Sequence, residues 1–161
     1  MARSPRKTVL ITGCSTGGIG WAQAKAFQQR GFHVFATARD PTTAADLAGG
    51  DDIEVLELDV TVLDSINRCQ EIVAKYTNGK LDILVNNAGI ESQSPLLDVD
   101  VTAAKDLYDV NVWGPLFVTQ AFVPLLIESK GIIINQSSID ATLNMVWAGE
   151  WIPLDINRSS H

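Results

Sequence analysis

Five short runs of apolar residues, separated by segments with helical spacing, restrict the folds open to this chain. The runs are TVLIT from Thr8, HVFATA from His33, IEVLEL from Ile53, LDILVN from Leu81 and IIINQSS from Ile132. They are nearly continuous rather than alternating, which indicates strands covered on both faces, as in a parallel sheet between layers of helices. Right-handed crossovers between such strands predict an α/β fold, a doubly wound sheet of five strands in the order 3-2-1-4-5 with helices on both faces.

The segments between the runs predict helices over 19–30, 42–48, 64–76 and 101–129. Asp100 or Thr102 is expected to cap the longest helix, and Pro115 and Pro124 are expected to kink or split it. We expect the last strand to be buried where it is apolar and to surface at its polar end. After Ser138 the pattern favours neither helix nor strand.

Length and composition fit one compact domain, since the 161 residues are 46% apolar and include no long polar tract. The formal net charge of −7 is spread along the chain, so neither nucleic acid nor an anionic membrane is expected as a partner. The basic segment 2–7 is followed by an apolar stretch too short for a signal peptide or a membrane span.

The chain has two cysteines, Cys14 and Cys69. They lack CxxC spacing and a histidine-rich neighbourhood, so the sequence indicates neither a disulfide framework nor a metal site. Two unpaired thiols fit a reducing compartment, and we expect a cytoplasmic location.

The segment TGCSTGGIG at 12–20 connects the first predicted strand to the first predicted helix. A glycine-rich turn at this place can bring backbone N–H groups against a pyrophosphate and direct a helix N-terminus toward it. Gly13 would form the tight turn, Gly18 would allow close approach of the backbone, and Gly20 would let the helix pack closely on the strand. The alternative is a tight turn without a ligand, but the position in the first strand-helix unit favours a nucleotide.

Arg39 directly follows the second predicted strand, where the adenosine ribose of a dinucleotide would lie. An acidic side chain there would bind a free 2′-hydroxyl, whereas a guanidinium group suits a 2′-phosphate. The sequence therefore favours NADP(H) over NAD(H). The alternative is a solvated arginine that pairs with Asp40.

Five motifs occur in the order and spacing of the short-chain dehydrogenase/reductase family, which the sequence resembles over positions 8–149. They are TGCSTGGIG, LDV at 58–60, NNAG at 86–89, DVNVWG at 109–114 and the serine pair at 137–138. GKLDILVNNAGI and the form of the glycine turn most resemble the fungal 1-acyl-dihydroxyacetone-phosphate reductase branch. The resemblance implies a Rossmann-type domain over 1–149 and an NADP(H)-dependent oxidoreductase that acts on a small carbonyl compound or secondary alcohol.

The resemblance assigns thirteen positions to the cofactor: Gly13, Ser15, Thr16, Gly18, Ile19, Gly20, Arg39, Asp59, Val60, Asn86, Asn87, Ala88 and Gly89. Asp59 and the Val60 backbone would hold the adenine end, although Asp59 could simply cap the end of a strand. The NNAG segment would flank the cofactor and tie neighbouring strands together.

The resemblance also assigns two catalytic positions. Asn111 matches the helix asparagine that supports a proton-relay water, although alone it could be an amide that satisfies backbone groups. Ser138 matches the serine that hydrogen-bonds the substrate carbonyl, and without the resemblance it would be interpreted as a strand-end cap.

The family pattern breaks after Gly149. In the family a tyrosine thirteen residues after the serine donates the proton, and a lysine four residues later depresses its pKa. Here Trp151 and Asp155 occupy those positions. An indole N–H is not a practical proton donor near neutral pH, and a carboxylate raises the pKa of a neighbouring acid. Residues 150–161 are therefore interpreted as a divergent tail.

Two origins of this tail remain open. Gly149, Glu150 and Trp151 can be encoded as GGT GAG TGG, which contains the common intron start GTGAGT, so the tail could be translated from a retained intron. Alternatively, the chain is a natural truncated member with a new role.

Three functions follow: an oxidoreductase with impaired catalysis, a nucleotide-binding module without redox activity, or a repurposed cyclase or isomerase with Trp151 in an apolar pocket. Since the fifth strand would form an open edge, we expect a homo-oligomer.

Overall fold

A computed structural model of the chain describes residues 6–48, 52–92, 94 and 96–138. Its strands are β1 (Thr8–Ile11), β2 (His33–Ala38), β3 (Ile53–Glu57), β4 (Ile83–Asn86) and β5 (Ile132–Asn135). Its α-helices are α1 (Ile19–Gln29), α2 (Leu63–Thr77), α3 (Val101–Tyr108) and α4 (Gly114–Ser129). Two 3₁₀ helices, Pro41–Leu47 and Leu96–Asp98, and a π-helix, Asp109–Trp113, complete the described elements.

The strands form one parallel sheet in the order β3-β2-β1-β4-β5, which confirms the predicted fold and strand order. In the centre of the sheet Leu10 of β1 lies opposite Phe35 of β2 and Leu84 of β4. Because every strand runs in the same direction, all the carboxyl ends meet at one edge of the sheet.

The continuous apolar strands are explained by two separate cores, one on each face of the sheet. Leu10 points into a core that α2 and α4 complete with Ile66 and Phe122. Its neighbour Val9 points into the opposite core, together with Ala24 of α1. Alternate residues of a strand thus enter different cores, and both sets are apolar.

The helices differ from the sequence prediction in two places. The predicted helix at 42–48 is the 3₁₀ helix Pro41–Leu47, which Asp40 caps by accepting a hydrogen bond from Thr42 N at 2.9 Å. The long helix is interrupted by the π-helix, after which Pro115 lies in the first turn of α4. Pro124 lies inside α4, which continues to Ser129.

The burial predicted for the last strand is wrong. All of β5 is exposed, including Ile132 at 55%. The physical reason is that β5 ends the described sheet and none of its side chains joins either buried core of the described residues. The predicted tail at 150–161 and its boundary with 1–149 lie outside the described residues.

The helical run Val101–Ser129 is long and apolar enough to cross a membrane, by length and composition only. Core helices of soluble proteins meet the same criterion, and α4 buries Val118, Phe122 and Leu126. The absence of a membrane span therefore stays a prediction.

Candidate functional site

A cleft of about 340 Å³ lies at the carboxyl ends of the strands, where open α/β sheets bind their ligands. Ten of the thirteen predicted cofactor positions line it: Gly13, Ser15, Gly18, Ile19, Arg39, Asp59, Val60, Asn87, Ala88 and Gly89. The sequence prediction missed four apolar positions that complete the lining: Ala38, Leu58, Ile90 and Val110. Ala38 and Leu58 lie at or just past the end of a strand, a position that could have indicated them.

The glycine turn has the geometry that its sequence predicts. Gly13 has φ +73°, and a Cβ atom at Gly13 would lie 2.8 Å from Ala88 Cα. A Cβ atom at Gly20 would lie 2.5 Å from both Gly13 O and Asn87 Nδ2, so Gly20 lets α1 pack against the turn. Gly17, with φ +81°, was not singled out from the sequence, although its place inside the glycine cluster was a signal.

The floor of the cleft is a set of hydrogen bonds between the ends of β1 and β4. Thr12 Oγ1 accepts hydrogen bonds from Asn87 N at 3.0 Å and Ala88 N at 2.9 Å. In return, Asn87 Nδ2 donates to Thr12 O at 2.8 Å and Gly13 O at 3.0 Å. These bonds tie the two strands together, as expected of this segment, and hold the turn against the sheet.

Arg39 lies exposed at the end of β2 and lines the cleft. Its guanidinium group makes no ion pair or hydrogen bond within the described part of the chain, so the alternative pairing with Asp40 is not formed. Asp40 instead accepts hydrogen bonds from Thr42 Oγ1 and Thr42 N, which hold the pKa of the Asp40 carboxyl below its ordinary value. The structure thus leaves Arg39 available to an anion in the cleft.

Asp59 and Val60 follow β3 on the same side of the cleft. Asp59 Oδ1 accepts hydrogen bonds from Thr61 N at 2.9 Å and Thr61 Oγ1 at 2.7 Å, so this carboxylate does cap the turn after β3. Val60 is buried against Gly114, where a Cβ atom would lie 2.8 Å from Val60 Cγ2. Capping occupies one oxygen of Asp59 and is compatible with a ligand at the other.

Three predicted cofactor positions do not line the cleft. Gly20 lies beneath the turn, as described above. Asn86 Nδ2 donates to Thr119 Oγ1 at 3.1 Å and Asn135 Oδ1 at 2.9 Å, which ties β4 to α4 and β5. Thr16 points away from the cleft, and its one hydroxyl hydrogen is shared between Asp46 Oδ1 at 2.6 Å and Thr43 O at 2.8 Å.

The two predicted catalytic positions lie on different elements. Asn111 belongs to the π-helix and pairs twice with Ile90: Asn111 Nδ2 donates to Ile90 O at 2.8 Å, and Ile90 N donates to Asn111 Oδ1 at 2.9 Å. The side chain therefore satisfies backbone groups, which was the alternative interpretation. Ser138 is half-buried and lies three residues beyond β5. Trp151 and Asp155 lie outside the described residues.

Cysteine and metal chemistry have little support in this part of the chain. Cys14 and Cys69 are free and buried, and burial raises the pKa of each thiol to about 12. Within residues 6–48, 52–92, 94 and 96–138, no group of three His, Cys, Asp or Glu side chains could hold a metal ion.

Comparisons with known proteins agree on one family. The family model described as short chain dehydrogenase matches residues 7–149. The short-chain dehydrogenase cctT of Talaromyces islandicus is 51% identical over 89% of this chain and 50% of its own length. The NADPH-dependent 1-acyldihydroxyacetone phosphate reductase of Schizosaccharomyces pombe is 44% identical over 83% of this chain and 45% of its own.

The fold is also found in solved structures. A short-chain dehydrogenase from Streptomyces avermitilis superposes with a TM-score of 0.80, at 33% identity, over 90% of this chain and 55% of the other. The chain spans about half the length of the curated relatives that it matches.

Proposed function

Because the chain belongs to the short-chain dehydrogenase family, we propose that its described residues form the NADP(H)-binding part of an oxidoreductase acting on a carbonyl or secondary alcohol. The observation that carries this proposal is the cleft at the carboxyl edge of the sheet, which is lined by both the glycine turn and Arg39. The match to an NADPH-dependent reductase supports the choice of cofactor.

The cleft fits a dinucleotide on its own geometry. Gly18, which precedes α1, caps it without a side chain and lines the cleft, so the helix N-terminus is open toward a ligand. A side chain at Gly13 would collide with Ala88, which keeps that turn narrow. Backbone N–H groups of the turn would hold the pyrophosphate, and Asp59 and Val60 would hold the adenine end.

Arg39 would bind the 2′-phosphate. A guanidinium group offers two parallel N–H donors to a phosphate, and no described residue competes for those of Arg39. NAD(H), which lacks the phosphate, would leave this arginine unused and therefore bind more weakly.

Redox catalysis needs more than cofactor binding. The nicotinamide supplies or accepts a hydride when bound, and the protein must move a proton at the substrate oxygen. Ser138 would hydrogen-bond that oxygen, and Asn111 would support a proton-relay water. Trp151 and Asp155 stand where the resemblance requires a tyrosine and a lysine. Since acid–base catalysis contributes about 10²–10⁴-fold, we propose that this chain alone is a much impaired catalyst.

The same observation favours a second function, a nucleotide-binding module without redox activity. Both functions predict cofactor binding, and turnover separates them. An oxidoreductase would consume NADPH with a ketone, whereas a binding module would not. A cytoplasmic location and self-association stay predictions.

Isothermal titration calorimetry with NADP⁺ and NAD⁺ tests the binding proposal. We expect wild-type protein to bind NADP⁺ more tightly and Arg39→Ala to lose at least tenfold in NADP⁺ affinity, because a charge-assisted contact with phosphate contributes about 1.5–3 kcal/mol. Arg68→Ala is the matched control, since Arg68 is an exposed arginine on α2 outside the cleft. Failure of the wild-type chain to bind either dinucleotide would overturn the proposal.

A further inference from the structure

Asp46 lies outside the cleft, yet it bonds to two elements that form it. Asp46 Oδ1 accepts a hydrogen bond from Thr16 Oγ1 at 2.6 Å, and Asp46 Oδ2 accepts one from Trp21 Nε1 at 2.8 Å. Thr16 belongs to the glycine turn and Trp21 to the first turn of α1. Lys25 Nζ lies over the face of the Trp21 ring, 3.9 Å from its centre, while Asp46 binds the ring at its N–H edge.

Thr43 adds a second connection one turn earlier in the same 3₁₀ helix. Thr43 O accepts a hydrogen bond from Thr16 N at 2.8 Å and shares the Thr16 hydroxyl hydrogen with Asp46 Oδ1. Thr43 Oγ1 lies 3.0 Å from Ser15 Oγ and donates to Asp40 O at 2.7 Å. The 3₁₀ helix Pro41–Leu47 is thus fastened to the glycine turn by backbone and side-chain bonds together.

These bonds join the segment after Arg39 to the glycine turn, in addition to the direct bond from Cys14 N to Thr37 O of β2 at 2.8 Å. Ser15 comes from the glycine turn and Arg39 from the end of β2, and neither is held by a direct bond to the other. The residues that follow Arg39, Asp40 to Asp46, return to the turn and close a loop whose last contact is the Asp46 carboxylate. An anion that takes donors from both Ser15 and Arg39 would gain affinity from contacts that keep this loop closed and so hold the two side chains in place.

The charge of Asp46 makes the two possible effects opposite in sign. Its exposed carboxylate stays ionised at neutral pH, since hydrogen bonding from Thr16, together with Trp21 and the charge of Lys25, lowers the pKa of Asp46. As a charge near an anion site it would repel a phosphate. As a hydrogen-bond acceptor it would hold the donors of that site in place. Removing the Asp46 carboxylate therefore weakens phosphate binding only if the loss of its hydrogen bonds outweighs the loss of its charge repulsion.

We propose that Asp46 is a positioning residue that holds Ser15 and Arg39, through Thr16 and Trp21, in the arrangement that binds the 2′-phosphate. This inference rests on the proposed NADP(H) function and assigns to Thr16 a role in holding the turn, away from the cofactor itself. Its consequence is that a contact outside the cleft sets the preference for NADP(H) over NAD(H).

The experiment compares dissociation constants for NADP⁺ and NAD⁺ in Asp46→Ala, Asp46→Asn, Thr16→Val and Trp21→Phe by calorimetry. We expect Asp46→Ala and Thr16→Val each to weaken NADP⁺ binding about tenfold and to leave NAD⁺ binding within about twofold. Asp46→Asn and Trp21→Phe keep part of the hydrogen-bond network, so their NADP⁺ affinities should lie between those of wild-type protein and Asp46→Ala. Since the Thr16 hydroxyl is argued to act by binding Asp46, adding Thr16→Val to Asp46→Ala should cause little further loss of NADP⁺ affinity.

Thr77→Val is the matched control, because Thr77 also donates a hydroxyl hydrogen bond, to Val73 O at 2.8 Å, but on α2 outside the cleft. It should leave both dissociation constants unchanged. Thermal unfolding of each variant shows whether the fold is kept, which is expected since Asp46 and Thr16 are exposed. Trp21→Phe keeps an aromatic ring and serves if Asp46→Ala does not fold.

Failure of the proposed NADP(H) binding and failure of the proposed role of Asp46 give different binding results. A wild-type chain that binds neither dinucleotide, or binds both equally, overturns the NADP(H) proposal and this inference with it. Wild-type preference for NADP⁺ that survives in every Asp46 and Thr16 variant overturns the inference alone. Tighter NADP⁺ binding by Asp46→Asn would show that the carboxylate acts only as a repelling charge, which also overturns it.

Discussion

Asn87 Nδ2 donates to Thr12 O at 2.8 Å, so the residue after β4 is bonded to the residue after β1. Thr12 Oγ1 returns the contact by accepting from Asn87 N and Ala88 N. Two strands 75 residues apart in sequence are thereby held at the one edge of the sheet where a ligand can lie. The cleft is built by polar contacts that the apolar core cannot supply.

Thr12→Val tests how much the hydrogen bonds to Thr12 Oγ1 contribute to the free energy of unfolding. The substitution keeps the side-chain shape but leaves Asn87 N and Ala88 N without an acceptor, and each unsatisfied donor costs about 1–3 kcal/mol. We expect the free energy of unfolding, measured in urea, to fall by about 2 kcal/mol or more. Thr77→Val removes a hydroxyl from the more exposed end of α2 and should cost about 1 kcal/mol or less. Equal losses in the two variants would contradict the prediction.

Gly13→Ala and Gly31→Ala separate backbone strain from steric collision. Both glycines have positive φ, +73° and +82°, so an alanine strains either backbone by about 1–2 kcal/mol. Only at Gly13 would the new Cβ also meet another atom, Ala88 Cα at 2.8 Å, whereas nothing lies within 4 Å at Gly31. We expect Gly13→Ala to lose more unfolding free energy than Gly31→Ala in urea titrations and to lose dinucleotide binding as well. If Gly31→Ala were the more damaging, the turn would not be as narrow as described.

The fold was predictable from the sequence because each strand carries its own evidence. A continuous apolar run such as that from Thr8 indicates a strand covered on both faces, and a glycine turn such as 12–20 indicates where a strand ends and a helix begins. The positive φ of Gly13 is local to its turn, whereas the residues that crowd Gly13 and Gly20, Ala88 and Asn87, come from just after β4. Handedness limits the crossovers but allows more than one doubly wound order, and the glycine turn after the first strand favours the dinucleotide-binding order 3-2-1-4-5.

The features that were missed depend on contacts between residues distant in sequence. Nothing in the sequence near Asp46 indicates that its carboxylate meets Thr16, thirty residues earlier. The burial expected for Ile132 failed for a similar reason, since an apolar strand does not encode whether a neighbour covers it. The π-helix around Asn111 has the composition of an ordinary helix, so periodicity alone could not locate it.

The buried cysteines should resist modification in the native protein. With a pKa of about 12, Cys14 and Cys69 are almost wholly protonated at pH 8, and the thiolate is the reactive form. We expect a disulfide reagent such as 5,5′-dithiobis(2-nitrobenzoate) to react with neither thiol in native protein and with both in denaturant. Rapid reaction of one thiol without denaturant would contradict this, and Cys69→Ala would then identify whether Cys14 is responsible.

His33 is the group through which acid should weaken the fold at the opposite end of β2. It is 7% exposed, lies 3.1 Å from Tyr76 OH through Nδ1, and stacks on the Tyr76 ring with Phe35 at its edge. Burial lowers the pKa of His33 from its ordinary value of 6.5, and the positive charge of Arg6 lowers it further. Glu54 lies 3.9 Å from Nε2 but is partly exposed, so solvent screens its attraction.

A histidine whose pKa is lower in the folded state binds its proton more readily in the unfolded state. The stability due to neutral His33 is therefore complete above about pH 6.5, and it is lost as the pH falls toward the pKa of His33 in the folded state. The urea midpoint should therefore fall more between pH 7.5 and pH 5.5 in wild-type protein than in His33→Phe, because phenylalanine cannot titrate. The variant leaves the half-exposed Tyr76 hydroxyl free to bond to water. Carboxylates such as Asp40 contribute the same pH dependence to both proteins, and the comparison removes them. If the wild-type midpoint instead rose on acidification relative to His33→Phe, the attraction of Glu54 would outweigh burial, and the assigned direction of the pKa shift would be wrong.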